Sequence, residues 1–215
     1  MKKTLYSLML NDEVVAEVDA LAHRLGTNRS NLINQILAEK VGISTPERRI
    51  NDIFNAINEL LSPSRELVPV MTAGALTMAL KSSLEYKYRP TVRYEVELYR
   101  GDEDALGVMT VIFRTQSPVL RASMTEFFRL WKLIEETHLA PLTGSKPGYS
   151  LCDGRFSRTI ALPSRECSAQ ELAVLISGYI ELFDAMMKGF LAGRYTERDI
   201  EACYFSQLRR ADVLI

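Results

Sequence analysis

The sequence predicts an α+β protein, and three observations carry that expectation. Residues 4–10, TLYSLML, alternate with a period of two and are followed by two helical stripes. Apolar residues then keep helical spacing as far as residue 88. From residue 89 the order becomes strand, strand, helix, strand, strand, helix, helix, the pattern of an α+β layer domain. The 215 residues and 24.3 kDa allow one large domain or two modest ones. The pattern divides them into 1–45, 46–88 and 89–215.

At the N-terminus, Tyr6, Leu8 and Leu10 share one face of the short β-compatible run, and Leu5, Ser7 and Met9 the other. Asn11 is suited to cap a helix, and Asp12 and Glu13 complement the positive end of its dipole. Val14, Val15, Val18, Leu21, Ala22 and Leu25 form the helical stripe, with Gly26 as the stop. A second helix opens at Thr27-Asn28-Arg29-Ser30, carries Leu32, Ile33, Ile36, Leu37 and Val41, and ends at Gly42. A unit of some 40 residues cannot enclose a core alone without a metal, disulfides or a partner. Its apolar faces are expected to be buried against a second copy, the rest of the chain, or both.

Leu10-Asn-Asp-Glu13, the two-valine start of the first helix, Leu21-Ala22, Leu25-Gly26 and Asn28-Arg-Ser-Asn-Leu-Ile33 resemble the ribbon-helix-helix proteins of the CopG, MetJ and Arc kind, over residues 3–42. The resemblance implies an intertwined homodimer, open to higher oligomers, whose paired N-terminal strands enter the major groove of double-stranded DNA. It makes Tyr6, Leu8 and Leu10 core-facing and turns Lys3, Leu5, Ser7 and Met9 towards bases. Lys2, Thr27, Asn28, Arg29 and Ser30 become the phosphate contacts, since a helix N-terminus offers free N–H groups to an anion. In any protein Asn28 and Ser30 serve equally well as plain helix caps. Leu5 and Met9 offer bases no hydrogen bonds, only apolar contact with thymine methyl groups.

Further along, Thr45 caps and Pro46 opens a helix carrying Ile50, Ile53, Phe54, Ile57, Leu60 and Leu61, interrupted at Ser62-Pro63-Ser64. The apolar stretch Met71 to Leu84 reads as another, buried helix. These two are linker helices that could extend a dimer interface. Val92, Tyr94, Val96 and Leu98 then alternate with Arg93, Glu95, Glu97 and Tyr99, a half-exposed strand that turns at Gly101-Asp-Glu-Asp104 and returns over Leu106 to Thr115. Ser117-Pro118 starts a helix with Leu120, Met124, Phe127, Phe128, Trp131 and Ile134 on one face. A second hairpin, Tyr149 to Leu162, turns at Asp153-Gly154. Ser168-Ala-Gln-Glu171 is a capping box for the longest helix, which ends at Gly193, and Thr196 begins the last. The doubled strand-strand-helix order raises an internal repeat, but the residues of the two halves do not align.

Composition narrows the function. Lys and Arg number 26 against 27 Asp and Glu, for a net charge of −1, so no general basic excess attracts nucleic acid. Residues 1–45 hold five basic side chains (Lys2, Lys3, Arg24, Arg29, Lys40) and five acidic ones (Asp12, Glu13, Glu17, Asp19, Glu39). The asymmetry is confined to Lys2 and Lys3, four lysines in a dimer. No run approaches the roughly 20 apolar residues of a membrane span, and the start is a poor signal peptide, so a cytoplasmic protein with no membrane partner is expected. Cys152, Cys167 and Cys203 lack metal-ligand spacing, and an odd set reads as reduced thiols. No nucleophile elbow, phosphate loop or dinucleotide fingerprint is present, so neither an enzyme, a cofactor nor a metal is expected. Asp102-Glu103-Asp104 reads as a solvated turn, His138 as a partner of its helix dipole, and the Phe183–Phe190 stripe as core. Arg155 and Arg158 around Phe156 read as a strand's solvent face, with anion binding as the functional alternative.

The expectation is thus a dimeric DNA-binding protein, a transcriptional regulator or a plasmid or mobile-element accessory protein. Its C-terminal domain would control oligomerisation or sense an effector or protein partner. The competing reading is a protein-interaction module that uses the ribbon-helix-helix fold only to dimerise, motivated by the apolar outward pair Leu5 and Met9.

Overall fold

Asp12 and Glu13 open helix α1 (Asp12–Arg24), and Asn28 caps α2 (Arg29–Lys40) by accepting the Asn31 N–H at 2.9 Å. The stops between and after them are Gly26 and Gly42, whose positive φ values of 63° and 74° suit glycine. This computed structural model describes residues 4–215 apart from 65, 71–75, 87–88, 102–103, 144–146 and 153. Residues 4–10 form no strand, contrary to the expectation from their alternation. The sheet begins only after three helices and does not include this segment. A strand exists only when hydrogen-bonded to a neighbouring one, and within a single chain this segment has none.

Thr45 caps α3 (Pro46–Leu61), with Pro46 in the first turn as its fixed φ favours. A 3-10 turn (Ser62–Ser64) leads to β1 (Leu67–Val70) and β2 (Thr77–Ser83), an antiparallel pair. The helix expected over Met71 to Leu84 is therefore corrected to a strand over 77–83; residues 71–75 lie outside the described residues. A short apolar run does not distinguish a buried strand from a buried helix. Here Met78, Leu80 and Ser82 face the core, while Ala79 is also buried, so alternation is masked.

Next come β3 (Thr91–Leu98), β4 (Ala105–Phe113), α4 (Pro118–His138), the one-turn α5 (Ala140–Thr143), β5 (Tyr149–Cys152), β6 (Arg155–Ala161), α6 (Ala169–Leu191) and α7 (Glu197–Arg210). Both capping boxes form, Ser168 with Glu171 and Thr196 with Asp199. Apart from α5, this is the order read from the sequence. The α+β class holds: six antiparallel strands in the order β1-β2-β3-β4-β6-β5. At Gly107 the β4–β6 register shifts, and a side chain there would run into the Glu97 carbonyl oxygen of β3.

One face of the sheet carries Leu80, Tyr94, Val96, Met109, Val111 and Phe156 into the core, and the other presents Lys81, Arg93, Glu95 and Glu97. Helices cover the first face. Phe128 of α4 stacks on Phe156 at 5.1 Å, and Phe183 of α6 meets Tyr94 edge-on at 6.1 Å. The stretch read as linker helices contributes to the same core, since Ile53, Ile57 and Leu61 of α3 are buried in it against α6.

Two satisfied polar clusters tie helices to the sheet. In one, Asp184 accepts hydrogen bonds from Tyr94 (2.8 Å) and Ser82 (3.1 Å) and pairs with Lys188 at 2.7 Å, which also reaches Glu66. In the other, Glu135 of α4 pairs with Arg158 of β6 at 3.1 Å and accepts hydrogen bonds from the hydroxyls of Tyr149 (2.9 Å) and Tyr204 (3.3 Å). Arg158 is 1% exposed, which corrects its assignment to a solvent face. Alternation puts it on the side of Phe156, towards the core, while Arg155 faces out. Burial pulls its pKa down, but Glu135 and the surrounding tyrosines outweigh that and leave it raised. No described helix is long and apolar enough to cross a membrane.

Candidate functional site

Residues 4–43 leave most of their large apolar side chains in solvent. Leu5 is 96% exposed and Met9 fully so, and Tyr6 and Leu8, the residues expected to face a core, are 82% and 62% exposed. Ala22 is the buried residue of α1 and Leu32 that of α2, while Val14, Leu25, Ile36, Leu37, Val41 and Ile43 are all exposed. A shallow groove of about 360 Å³ runs along α1 over Val14, Val18 and Leu21, edged by Glu13, Glu17 and Arg24.

Of the residues expected at bases, Leu5, Ser7 and Met9 are exposed on a segment without regular secondary structure; Lys3, like Lys2, lies outside the described residues. Thr27, Asn28, Arg29 and Ser30 of the expected phosphate set lie in sequence at the start of α2. Asn28 is engaged as the cap, Ser30 is exposed and Thr27 half-buried. Arg29 folds back on α1: its Nε donates to Asp19 at 2.6 Å and its Nη2 closes a second bond to the same carboxylate. Through that hydrogen bond Arg29 holds the Asp19 carboxyl below its ordinary pKa, and its own is raised in return. Sequence inspection missed this pair. Its signal was an acidic residue on the first helix within reach of the second helix's first turn, ten residues on.

A second concave region, of about 830 Å³, lies between the amino ends of α3 and α6 and the β3–β4 turn. Three arginines reach it, and each is engaged. Arg49 donates to the Cys167 carbonyl (2.9 Å), Arg100 pairs with Glu47 (2.9 Å) and Arg165 with Glu171 (2.8 Å). The hydrogen bond from Arg165, reinforced by the Ser168 N–H, takes the Glu171 carboxyl down to about 2. His138, in the last turn of α4, meets Glu201 of α7 at 2.7 Å. Asp102 and Glu103 of the acidic turn lie outside the described residues, and no cluster of metal ligands occurs among the described ones. Compared with protein families, curated proteins and solved structures, the chain matches none.

Proposed function

We propose that the chain is a dimeric DNA-binding protein, a regulator or a DNA-handling accessory protein, in which residues 4–10 of two copies pair as an antiparallel ribbon. The observation that supports this reading most is the exposure of Leu5, Tyr6, Leu8 and Met9 beside two helices whose apolar faces are also open. An exposed apolar area of this kind is unfavourable in water and marks an interaction surface. Pairing would give each strand its missing ladder and turn Tyr6, Leu8 and Leu10 inward over the helices. Leu5, Ser7 and Met9, with Lys3, would then face a groove, the apolar pair against thymine methyl groups and the polar pair against donors and acceptors. Lys2, Thr27, Asn28 and Ser30 flank that ribbon as phosphate contacts. Arg29 joins them on release from Asp19, a competition that keeps affinity dependent on the phosphate backbone's field. The C-terminal α+β body would act as the sensing or oligomerising part.

Selection of duplexes from a randomised pool by the full chain at low salt tests the reading. The expected result is an enriched sequence whose affinity falls as salt rises, by a slope of about 0.9 in log K per phosphate neutralised. Binding should be lost in Lys3→Ala combined with Arg29→Ala. Absence of any enriched duplex at low salt would overturn it.

The second reading, an interaction module that uses the segment only to dimerise, is favoured by one specific observation: the outward pair Leu5 and Met9 is apolar and Arg29 is already paired. It predicts a dimer with no enriched duplex, and a partner surface abolished by Leu5→Asn with Met9→Gln.

A further inference from the structure

A cavity of about 490 Å³ opens between α6, α7 and the tail 211–215, away from every residue assigned to DNA. Its walls are mostly aliphatic, with Leu175 and Leu182 of α6, Leu208 of α7 and Val213 of the tail among them; Glu181, Gln207, Tyr179 and Arg158 supply the polar groups. Apolar pockets of a few hundred Å³ with a small number of convergent polar groups are where proteins take small molecules.

The arginine is what gives the cavity a chemistry. Arg158 is 1% exposed, its guanidinium sits 4.5 Å from the centre of the Tyr179 ring, and its Nε edge is occupied by Glu135. Its Nη2 points the other way and donates to the main-chain oxygen of Ile215 at 2.6 Å. Ala211 and Asp212 are exposed, whereas Val213 and Ile215 are buried, so the tail crosses the surface and then dips inwards. It delivers an aliphatic body and one oxygen acceptor to a preformed cation. Helix α6 also carries an exposed glycine here. Gly178 lines the cavity, a Cβ built on it meets nothing within 4 Å, and glycine in a helix interior is less stable than alanine. Packing does not require this glycine, and the space beside it is open to a larger side chain.

We propose that this cavity is a binding site for a small amphiphile, an aliphatic body with a single hydrogen-bond-accepting oxygen head, whose oxygen displaces that of Ile215 from Arg158 Nη2. The head can be a carboxylate or a neutral carbonyl, because Glu135 already balances the guanidinium charge and both heads accept the same N–H. Binding itself is independent of the DNA reading; the role of the amphiphile as the effector of a regulator rests on that reading.

Trp131 is the only tryptophan, and its Nε1 donates to the Tyr179 hydroxyl at 2.9 Å, which makes its fluorescence a reporter for the cavity. The full chain, without DNA, is titrated with octanoate and with octanamide. The expected result is a saturable change in Trp131 emission with at least one of them, the stronger identifying the head. Gly178→Phe, which fills the opening, should abolish the change while retaining the melting transition. Arg158→Lys, which keeps a cation beside Glu135 but removes the forked donor, should weaken binding by about tenfold or more, a loss expected for one charge-assisted hydrogen bond. No saturable change with either probe, or the same binding in Gly178→Phe as in the parent, would overturn the proposal and leave the DNA reading standing.

Discussion

Residues 4–43 and residues 45–215 use the same kinds of side chain and treat them in opposite ways. In the C-terminal body, Trp131, Phe127, Phe156 and Phe183 are completely enclosed, and even the charges of Glu135, Arg158 and Asp184 have partners inside. In the N-terminal segment leucines, a methionine and a tyrosine stand in water, and the Asp19–Arg29 ion pair is at the surface. The contrast teaches where the chain is self-sufficient. The body closes its own core and pairs its buried charges, whereas the N-terminal segment leaves most of its large apolar side chains exposed.

The contrast breaks first, and by the largest amount, at Arg158. Replacing it with Met strands the Glu135 charge in the core, and a loss of about 3–5 kcal/mol is expected from urea unfolding. Arg158→Met combined with Glu135→Leu should recover most of it, since an apolar pair of similar volume leaves no buried charge. A cost below about 1 kcal/mol for the single variant would mean that the cluster is not part of what holds the body together.

An intermediate effect is expected in alkali. Burial, and then the neighbouring carboxylates Asp184 for Tyr94 and Glu135 for the others, raises the pKa of Tyr94, Tyr149, Tyr179 and Tyr204 above the ordinary value of 10.0. A folded-state pKa raised in this way contributes stability that is complete below the unfolded value and is lost as pH rises beyond it. The body should therefore destabilise above about pH 10. Tyrosinate absorbance from these four of the nine tyrosines should appear together with unfolding. Their titration in a still-folded protein would contradict the enclosed cluster.

The smallest structural effect belongs to the exposed pair. Asp19→Ala should leave the melting transition of the body unchanged, because exposed ion pairs contribute little. By freeing Arg29 it should strengthen duplex binding at low salt, as read by fluorescence anisotropy. Unchanged affinity would remove Arg29 from the phosphate set.

What the sequence made legible was local. Thr45-Pro46, Ser168 to Glu171 and Gly154 act through neighbours a few residues away, and the corresponding helix starts and hairpin follow from them; Asp153 lies outside the described residues. The strand over 77–83 was hidden because both of its faces carry apolar residues, and no alternation separates it from a buried helix. Arg158 is not legible as buried because its partner, Glu135, is 23 residues distant on a helix, and only the β6-to-α4 packing brings them together. At the candidate site the residue types were legible, but not the Asp19–Arg29 pair. Nor does the expected strand over residues 4–10 exist in a single chain, where the hydrogen-bonding edge it needs is missing.

The mass of the full chain in solution, followed by sedimentation or light scattering across micromolar concentrations, tests the central claim most directly. Pairing of two copies gives twice 24.3 kDa, reverting to 24.3 kDa in Tyr6→Asp with Leu8→Asp while the body keeps its melting transition. A parent protein that stays at 24.3 kDa over that whole range would contradict it.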